Sequence, residues 1–400
     1  MDLKLFPLVP GHNRYKNTYG TVPLKGKAPK YHVKPVYKPF LALADIAGNI
    51  LFFATKLARQ PQNPKKILMI RLDHLGDVVM TLPAYAAVRR LYPKAEIHTL
   101  VRSFVQELFY KNRDVDKVIP FDPPWFARDK KAGLLKTLKF LLKLRKEKYD
   151  LVIEFHADPR NILAATVIGG YRIGYGLRGF GFLLNKVVPY PVFDHLVETN
   201  TNIIRALGFR EKTPLQALKL HYANADRHHA EMLVGKKTRR IVLINPGTGR
   251  PNKYWLAERW AKVGDALADH GCSVFLTGSS ADIPECEKIA SQMVHKPVVL
   301  AGKTTIRQFL ALVSKSSLVL CPDTSLDHFS ACLKTPAVVL FGPIPPSICS
   351  YESPRRRVIV KCLPCSYCAR AVCPRKDSPN ECMNLITEDE VIAAAKNILG

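Results

Sequence analysis

Three short runs in this sequence combine residue types able to carry out group transfer. The first is Arg71-Leu72-Asp73-His74-Leu75-Gly76-Asp77, lying between an apolar run and a helix-patterned one. Gly76 permits a tight turn, and Asp77 is placed either to cap the following helix or to present a carboxylate as a general base. The second spans residues 245–255, where Gly247, Thr248 and Gly249 precede Arg250 and Lys253. Small residues let backbone N–H groups approach an anion there, the hydroxyl adds a donor, and the two cations add charge. The spacing is not that of a Walker loop, so NTPase chemistry has no support, and a plain glycine turn is the alternative. The third is Pro322-Asp323-Thr324-Ser325-Leu326-Asp327-His328. Thr324 and Ser325 open a helix, a second phosphate-competent end. His328 either pairs with Asp323 or serves as a structural histidine.

Two further patterns invite metal chemistry. All ten cysteines fall between Cys272 and Cys382, one local cluster and not the framework of a secreted protein. Cys362, Cys365 and Cys368, then Cys373 and Cys382, come near an iron–sulfur spacing, with zinc as a second option and a metal-free structural role as a third. Asp114-Val115-Asp116 has the Asp-x-Asp spelling of metal-dependent transferases, but it precedes a strand and reads as a solvated turn.

These loops need elements to hold them. Strand and helix patterns alternate from residue 66: strands at 66–72, 96–101, 117–121 and 151–155, with helices at 78–91, 133–147 and 195–207. A second series follows, with strands at 241–245, 273–276, 318–321 and 337–341 and helices at 256–270, 283–293, 306–316 and from 326. Such alternation implies parallel βαβ units, and 400 residues imply two such domains at about 100–200 residues each. The expectation is an α/β protein whose ligand loops follow strand ends. Its parts are a basic arm and amphipathic helix over 1–64, one domain over 65–225 and another over 226–400, the cysteine-rich segment at 349–382 included.

The net charge of +27 implies an anionic partner. No nucleic-acid module accompanies it, so a membrane surface is favoured over nucleic acid. Residues 1–39 carry scattered lysine, proline and tyrosine without a hydrophobic period and read as a loose arm. Residues 40–57 place Phe40, Leu43, Ile46, Ile50 and Leu57 at helical spacing. Eighteen helical residues reach only ~27 Å against a hydrocarbon core of ~30 Å, and Asp45 inside the run would cost up to ~3 kcal/mol near the bilayer centre. This segment therefore reads as lying in an interface, or as packed on the protein's own core. The start lacks a signal-peptide pattern, which predicts a cytoplasmic protein peripheral to the inner membrane.

The run from Lys66 through Gly76-Asp77 to Pro83-Ala84, the 245–255 loop, and Pro322-Asp323-Thr324 through His328 to Gly342-Pro343, in this order, resemble glycosyltransferase family 9. That is the heptosyltransferase family of lipopolysaccharide core assembly. The resemblance implies a GT-B fold, two facing Rossmann-like doubly wound domains, with acceptor on the first and nucleotide-sugar on the second. It also implies inverting, metal-independent transfer. Asp77 matches the family's general base; Thr248, Gly249, Arg250, Lys253, Asp323, Thr324, Ser325 and His328 fall in its donor motifs. Ser325 departs from the family's usual glycine, which leaves room for a different donor. Burial that raises the Asp77 pKa would suit late proton transfer.

The function so implied is transfer of heptose, or a related sugar, from a nucleotide-sugar such as ADP-heptose to a lipopolysaccharide core acceptor. Arg172 and Arg178 are candidate acceptor contacts, and no cofactor is required. The alternatives are a family-9-like transferase with another nucleotide-sugar, or a degenerate, non-catalytic basic protein binding membrane or nucleic acid.

Overall fold

A computed structural model describes residues 3–7, 14–17, 20–23, 35–126, 133–191, 194–235, 238 and 240–400. The chain divides into two compact units, Val22–Ala217 and Leu218–Gly400, the latter joined by Met1–Thr21.

The first unit opens with helix α1 (Lys38–Leu51), in which Asp45 and Gly48 are buried. Its sheet comprises β1 (Lys66–Arg71), β2 (Glu96–Val101), β3 (Lys117–Pro120), β4 (Leu151–Glu154), β5 (Tyr171–Tyr175) and β6 (Lys186–Val188), in the order β3-β2-β1-β4-β5-β6. Every described pair in it is parallel. Strand β1 is buried from Ile67 onward because helices cover both sheet faces. After β1 come α2 (Leu75–Val79) and α3 (Leu82–Leu91), then α4 (Leu134–Arg145), α5 (Pro159–Ile168) and α6 (Leu196–Leu207). Leu141 and Leu144 of α4 join Ala164, Ala165 and Ile168 of α5 over Leu68, Ile70 and Val152. On the other face, Tyr85 of α3 reaches the Thr99 hydroxyl at 2.5 Å.

Two departures from the sequence pattern have local causes. The helix expected over 78–91 is two helices. Pro83 has no N–H to continue the ladder, and the Thr81 hydroxyl turns back to the Asp77 carbonyl at 2.7 Å. Strand β5 lies in a glycine-rich stretch, 169–181, to which the sequence pattern assigned no element. A Cβ at Gly174 would stand 2.7 Å from the Glu154 carbonyl oxygen, so glycine there marks close strand approach, not a turn.

The second unit repeats the plan with β7 (Ile241–Ile244), β8 (Ser273–Leu276), β9 (Val298–Val299), β10 (Leu318–Pro322), β11 (Ala337–Phe341) and β12 (Arg356–Val360), in the order β9-β8-β7-β10-β11-β12. Its helices include α7 (Ala257–Asp269), α8 (Ile283–Gln292), α9 (Ile306–Lys315), α10 (Ser325–Leu333) and α11 (Glu388–Leu399). Trp255 and Trp260 meet edge-to-face at 4.7 Å in its core, and the Trp255 indole N–H donates to the Ile386 carbonyl at 3.0 Å. Part of the segment expected to be a loose arm is ordered. Lys4–Leu5 pairs antiparallel with Tyr351–Glu352, and Arg14–Asn17 pairs with Gly20–Pro23. Backbone pairing needs no side-chain period, so periodicity could not reveal it.

Asp327 of α10 and Arg356 of β12 form a buried ion pair; Arg356 also donates to the Asp327 carbonyl at 3.2 Å and the Ser330 hydroxyl at 3.0 Å. Removing one partner strands the other charge. Asp327→Ala is expected to destabilise this unit by about 3 kcal/mol or more. Chemical denaturation checks this, and a loss below about 1 kcal/mol contradicts it.

Candidate active site

In the first unit the functional loop follows β1. Arg71, the last residue of that strand, is buried, and its guanidinium donates to the Phe155 carbonyl at 3.0 Å. From there it lies 3.6 Å from the Asp73 carboxylate and 3.5 Å from that of Asp77. Asp77 stands in the first turn of α2, whose N-cap position is His74, so the cap reading of Asp77 does not hold. Its carboxyl is 29% exposed. Desolvation and, next, the Asp73 carboxylate push its pKa above the usual carboxylate range, against the opposing pull of Arg71.

Other groups gather here that the sequence reading passed over. His156 is the second residue after β4; its Nδ1 is 3.5 Å from Asp73, and its ring stacks on Phe126 at 5.6 Å. Burial, reinforced by Arg71 and Arg178, holds its pKa down to about 4, so the ring is neutral at neutral pH. Glu154 is fully buried and pushed up to about 7, chiefly by desolvation. Its carboxyl accepts the N–H groups of His156 at 3.0 Å and Ala157 at 2.7 Å, holding Ala157 in the left-handed region at φ 57°. Burial raises the Tyr190 phenol, which feels both Arg178 and Asp77. The available signal was position: residues 155–158 follow a strand's carboxyl end, where ligands bind. Arg178 thus belongs to this neighbourhood. Arg172 is committed elsewhere, donating to the carbonyls of Leu183 at 2.8 Å and Gly170 at 2.9 Å.

In the second unit, the loops after β7, β8 and β10 converge. Lys253 is ion-paired with Asp323 and donates to its carbonyl at 3.2 Å. Asp323, which the sequence offered as a partner for His328, is therefore held by Lys253, while His328 Nδ1 meets the Tyr351 hydroxyl at 3.3 Å. Thr324 is the N-cap residue of α10 and Ser325 its first helical residue. A Cβ at Gly247 would fall 2.1 Å from the Asp282 carboxylate, so glycine is what lets the 245–255 loop lie against the loop after β8. Asp282 in turn accepts from the Ser279 N–H at 2.7 Å. The Arg250 N–H donates to the Thr248 hydroxyl at 3.4 Å, whereas Gly249 has open space at its Cα.

The cysteine-rich segment clasps this loop by its backbone. Asn252 donates to the Arg370 carbonyl at 2.6 Å and Arg250 to that of Ala369 at 3.3 Å, while the Ala369 N–H donates to the Pro343 carbonyl at 2.8 Å. Cys365, Cys368 and Cys373 are close enough to Cys382 to add to the burial that raises its thiol to about 12. Cys362 instead contacts the Tyr367 hydroxyl at 3.3 Å. Among the described residues, no three His, Cys, Asp or Glu side chains are grouped to hold a metal ion. Asp116, of the Asp-x-Asp spelling, is bound by Arg89 at 2.6 Å and by the Ile97 N–H at 2.7 Å, the role of a structural turn.

Two doubly wound parallel units, the first carrying Asp77 after its central strand and the second Lys253 and Asp323 on strand-end loops, have the make-up of the GT-B fold. Residues 137–378 match glycosyltransferase family 9 (heptosyltransferase), and the chain belongs to that family. It is 26% identical over 286 residues to the lipopolysaccharide core heptosyltransferase OpsX of Haemophilus influenzae, covering 70% of this chain and 79% of that one. The fold is shared with a solved family 9 glycosyltransferase of Veillonella parvula, at TM-score 0.71 and 22% identity over 84% of this chain and 97% of that one. It is shared equally with the Escherichia coli ADP-heptose lipopolysaccharide heptosyltransferase II, at TM-score 0.71 and 22% identity over 84% and 98% of the two chains.

Glu154 makes stability pH-dependent. Its folded pKa is raised, so the native state holds the proton where the unfolded chain has released it, and stability falls as pH rises from about 4.5 to 7. His156, depressed, acts in the opposite sense below about pH 6.5 but is common to wild type and a Glu154→Gln variant. The stability difference, wild type minus variant, is expected to fall by up to about 1.4 kcal/mol per pH unit across that window. Denaturation midpoints between pH 5 and 8 measure it; a flat difference contradicts it.

Proposed function

We propose that this family 9 enzyme is an inverting, metal-independent transferase that moves heptose from ADP-heptose to a lipopolysaccharide core acceptor. Its similarity to OpsX, a lipopolysaccharide core heptosyltransferase, and to the E. coli ADP-heptose lipopolysaccharide heptosyltransferase II supports this choice of substrates. The observation that carries the chemistry is the Asp73-Arg71-Asp77 arrangement. In it a carboxylate is raised toward useful basicity while its orientation is held by a guanidinium that is itself fixed to backbone.

In a single displacement, the acceptor oxygen forms its bond to the anomeric carbon as the bond from that carbon to the diphosphate oxygen breaks. Asp77 takes the acceptor hydroxyl's proton. The negative charge that develops on the leaving diphosphate is met by Lys253, Arg250 and the N-terminus of α10, with Thr248, Gly249, Thr324 and Ser325 supplying further donors. Asp323 holds Lys253 in position, and His328 supports the start of α10. Arg178, grouped electrostatically with His156 and Tyr190, is assigned to the acceptor's acidic groups.

The domain roles follow: acceptor on residues 65–225, donor on 226–400, with 1–64 as an extension. The cysteine-rich segment needs neither zinc nor an iron–sulfur cluster in this scheme; its backbone steadies the donor loop. The enzyme works peripherally on the cytoplasmic face of the inner membrane. Ser325, where the family usually has glycine, supports a second reading in which another nucleotide-sugar is the donor; binding of a nucleotide-sugar panel to wild type and Ser325→Gly separates the two.

Asp77→Asn is expected to lower turnover about 10²- to 10⁴-fold while leaving ADP-heptose binding intact. Lys253→Ala is expected to weaken donor binding about tenfold or more. Rate assays with calorimetric titration of the donor check both, and undiminished turnover by Asp77→Asn refutes its role as base.

A further inference from the structure

Helix α1 is polarised in the reverse of the usual sense. Its buried residues are Asp45 and Gly48: the Asp45 carboxylate accepts the Phe180 N–H at 3.1 Å, and Gly48 lies on the Phe182 ring, where a Cβ would stand at 2.5 Å. Phe40, Leu43, Ile46, Ile50 and Leu51 all face outward, each at least 60% exposed. The one acidic residue of the run is thus on the protein side.

Helix α4 carries a second outward apolar stripe. At about 100° per residue, Thr137, Leu141 and Leu144 form the buried side. Leu134, Leu135, Leu138 and Leu142 form a separate exposed stripe about a third of a turn away, and Lys136, Lys139 and Lys143 fill the third side. No acidic residue interrupts Leu134–Arg145. The two helices belong to one layer: α4 packs on α5, Ile162 of α5 packs with Phe182, Leu183 and Leu184, and Phe182 supports Gly48 and meets the Phe52 ring at 5.6 Å.

We infer that this layer is a membrane-docking face, with α1 and α4 together seated in an anionic leaflet. It rests on the proposed lipid-anchored acceptor for its purpose, but not for its physical basis. Each stripe groups several exposed large apolar side chains, and exposed apolar patches on soluble proteins mark interaction or membrane sites. An apolar stripe flanked by lysines is what an interfacial helix needs, since the lysines meet lipid phosphates while the leucines enter the acyl boundary. Neither helix spans: 14 residues of α1 reach about 21 Å, and no helix among the described residues is long and apolar enough to cross a membrane. A second copy of the chain fits less well, because juxtaposed lysine rows repel.

The test uses the full chain in co-sedimentation with phosphatidylcholine vesicles, with and without phosphatidylglycerol. Wild type is expected to bind the anionic vesicles preferentially. Lys136→Ala/Lys139→Ala/Lys143→Ala is expected to lower that partition about 100-fold, from about 1 kcal/mol per lysine. Leu135→Glu/Leu138→Glu and Ile46→Glu/Ile50→Glu are each expected to lower it at least as far. All these side chains are exposed, so melting temperatures stay unchanged, as does transfer to a lipid-free, water-soluble acceptor fragment. Wild-type binding by the leucine and isoleucine variants overturns the inference. So does a dimer in buffer that Leu138→Glu splits, which would give the face to a second copy. Vesicle binding needs no sugar, so failure of the proposed transferase chemistry would leave this result standing, and the reverse.

Discussion

The buried guanidinium of Arg71 is the constraint around which the first unit's site is built. It ends the central strand, paired in parallel with Val101 of β2 and standing one residue beyond the last pair with β4, Ile70 and Glu154. Its side chain is then fixed a second time, through the Phe155 carbonyl at 3.0 Å. A cation held in this way sets the charge pattern of everything near it. It keeps two carboxylates, Asp73 and Asp77, within 3.6 Å without either displacing the other, and it helps keep His156 neutral. Without Arg71, Asp73 and Asp77 would repel unshielded; with it, the guanidinium opposes the desolvation and the Asp73 charge that raise the Asp77 pKa.

The second unit solves a different problem with the same economy. Lys253 and Asp323 come from loops after neighbouring strands, β7 and β10, so their ion pair ties those two strand-end loops together. The segment carrying Cys362 to Cys373 then braces the first of these loops through backbone carbonyls and Asn252. Backbone contacts of this kind make no demand on the cysteine side chains.

Much of this was legible in the residues. Alternating β-rich and helical runs gave both sheets, and three strand-end loops gave Asp77, Lys253 and Asp323 as the residues to watch. What the pattern could not give was anything resting on pairing across the chain. Glu154 reads as one more strand residue, and only the fold turns its carboxyl toward the His156 and Ala157 amides. Asp282 stands thirty-five positions from the glycine it abuts, a distance no local motif spans. Strand β5 was hidden by the very glycines that let it approach β4. Asp323 and His328 shared a short motif, yet helix geometry and the Lys253 and Tyr351 side chains gave them separate partners.

Helix α1 shows most sharply why composition alone misleads. By composition Asp45 interrupts an apolar run and argues against spanning a bilayer, since a carboxylate in hydrocarbon is costly. Its placement adds what composition cannot show. A helix with large apolar residues on most of its circumference has no intrinsic preference for which side faces its own protein. Asp45, satisfied by the Phe180 amide, and Gly48, flat enough to accept the Phe182 ring, together choose that side. The polar and the small residue anchor the helix, and the large apolar ones are thereby committed outward. The residue that argues against spanning in the sequence is therefore the one that, in the structure, sets which face of the helix is left exposed.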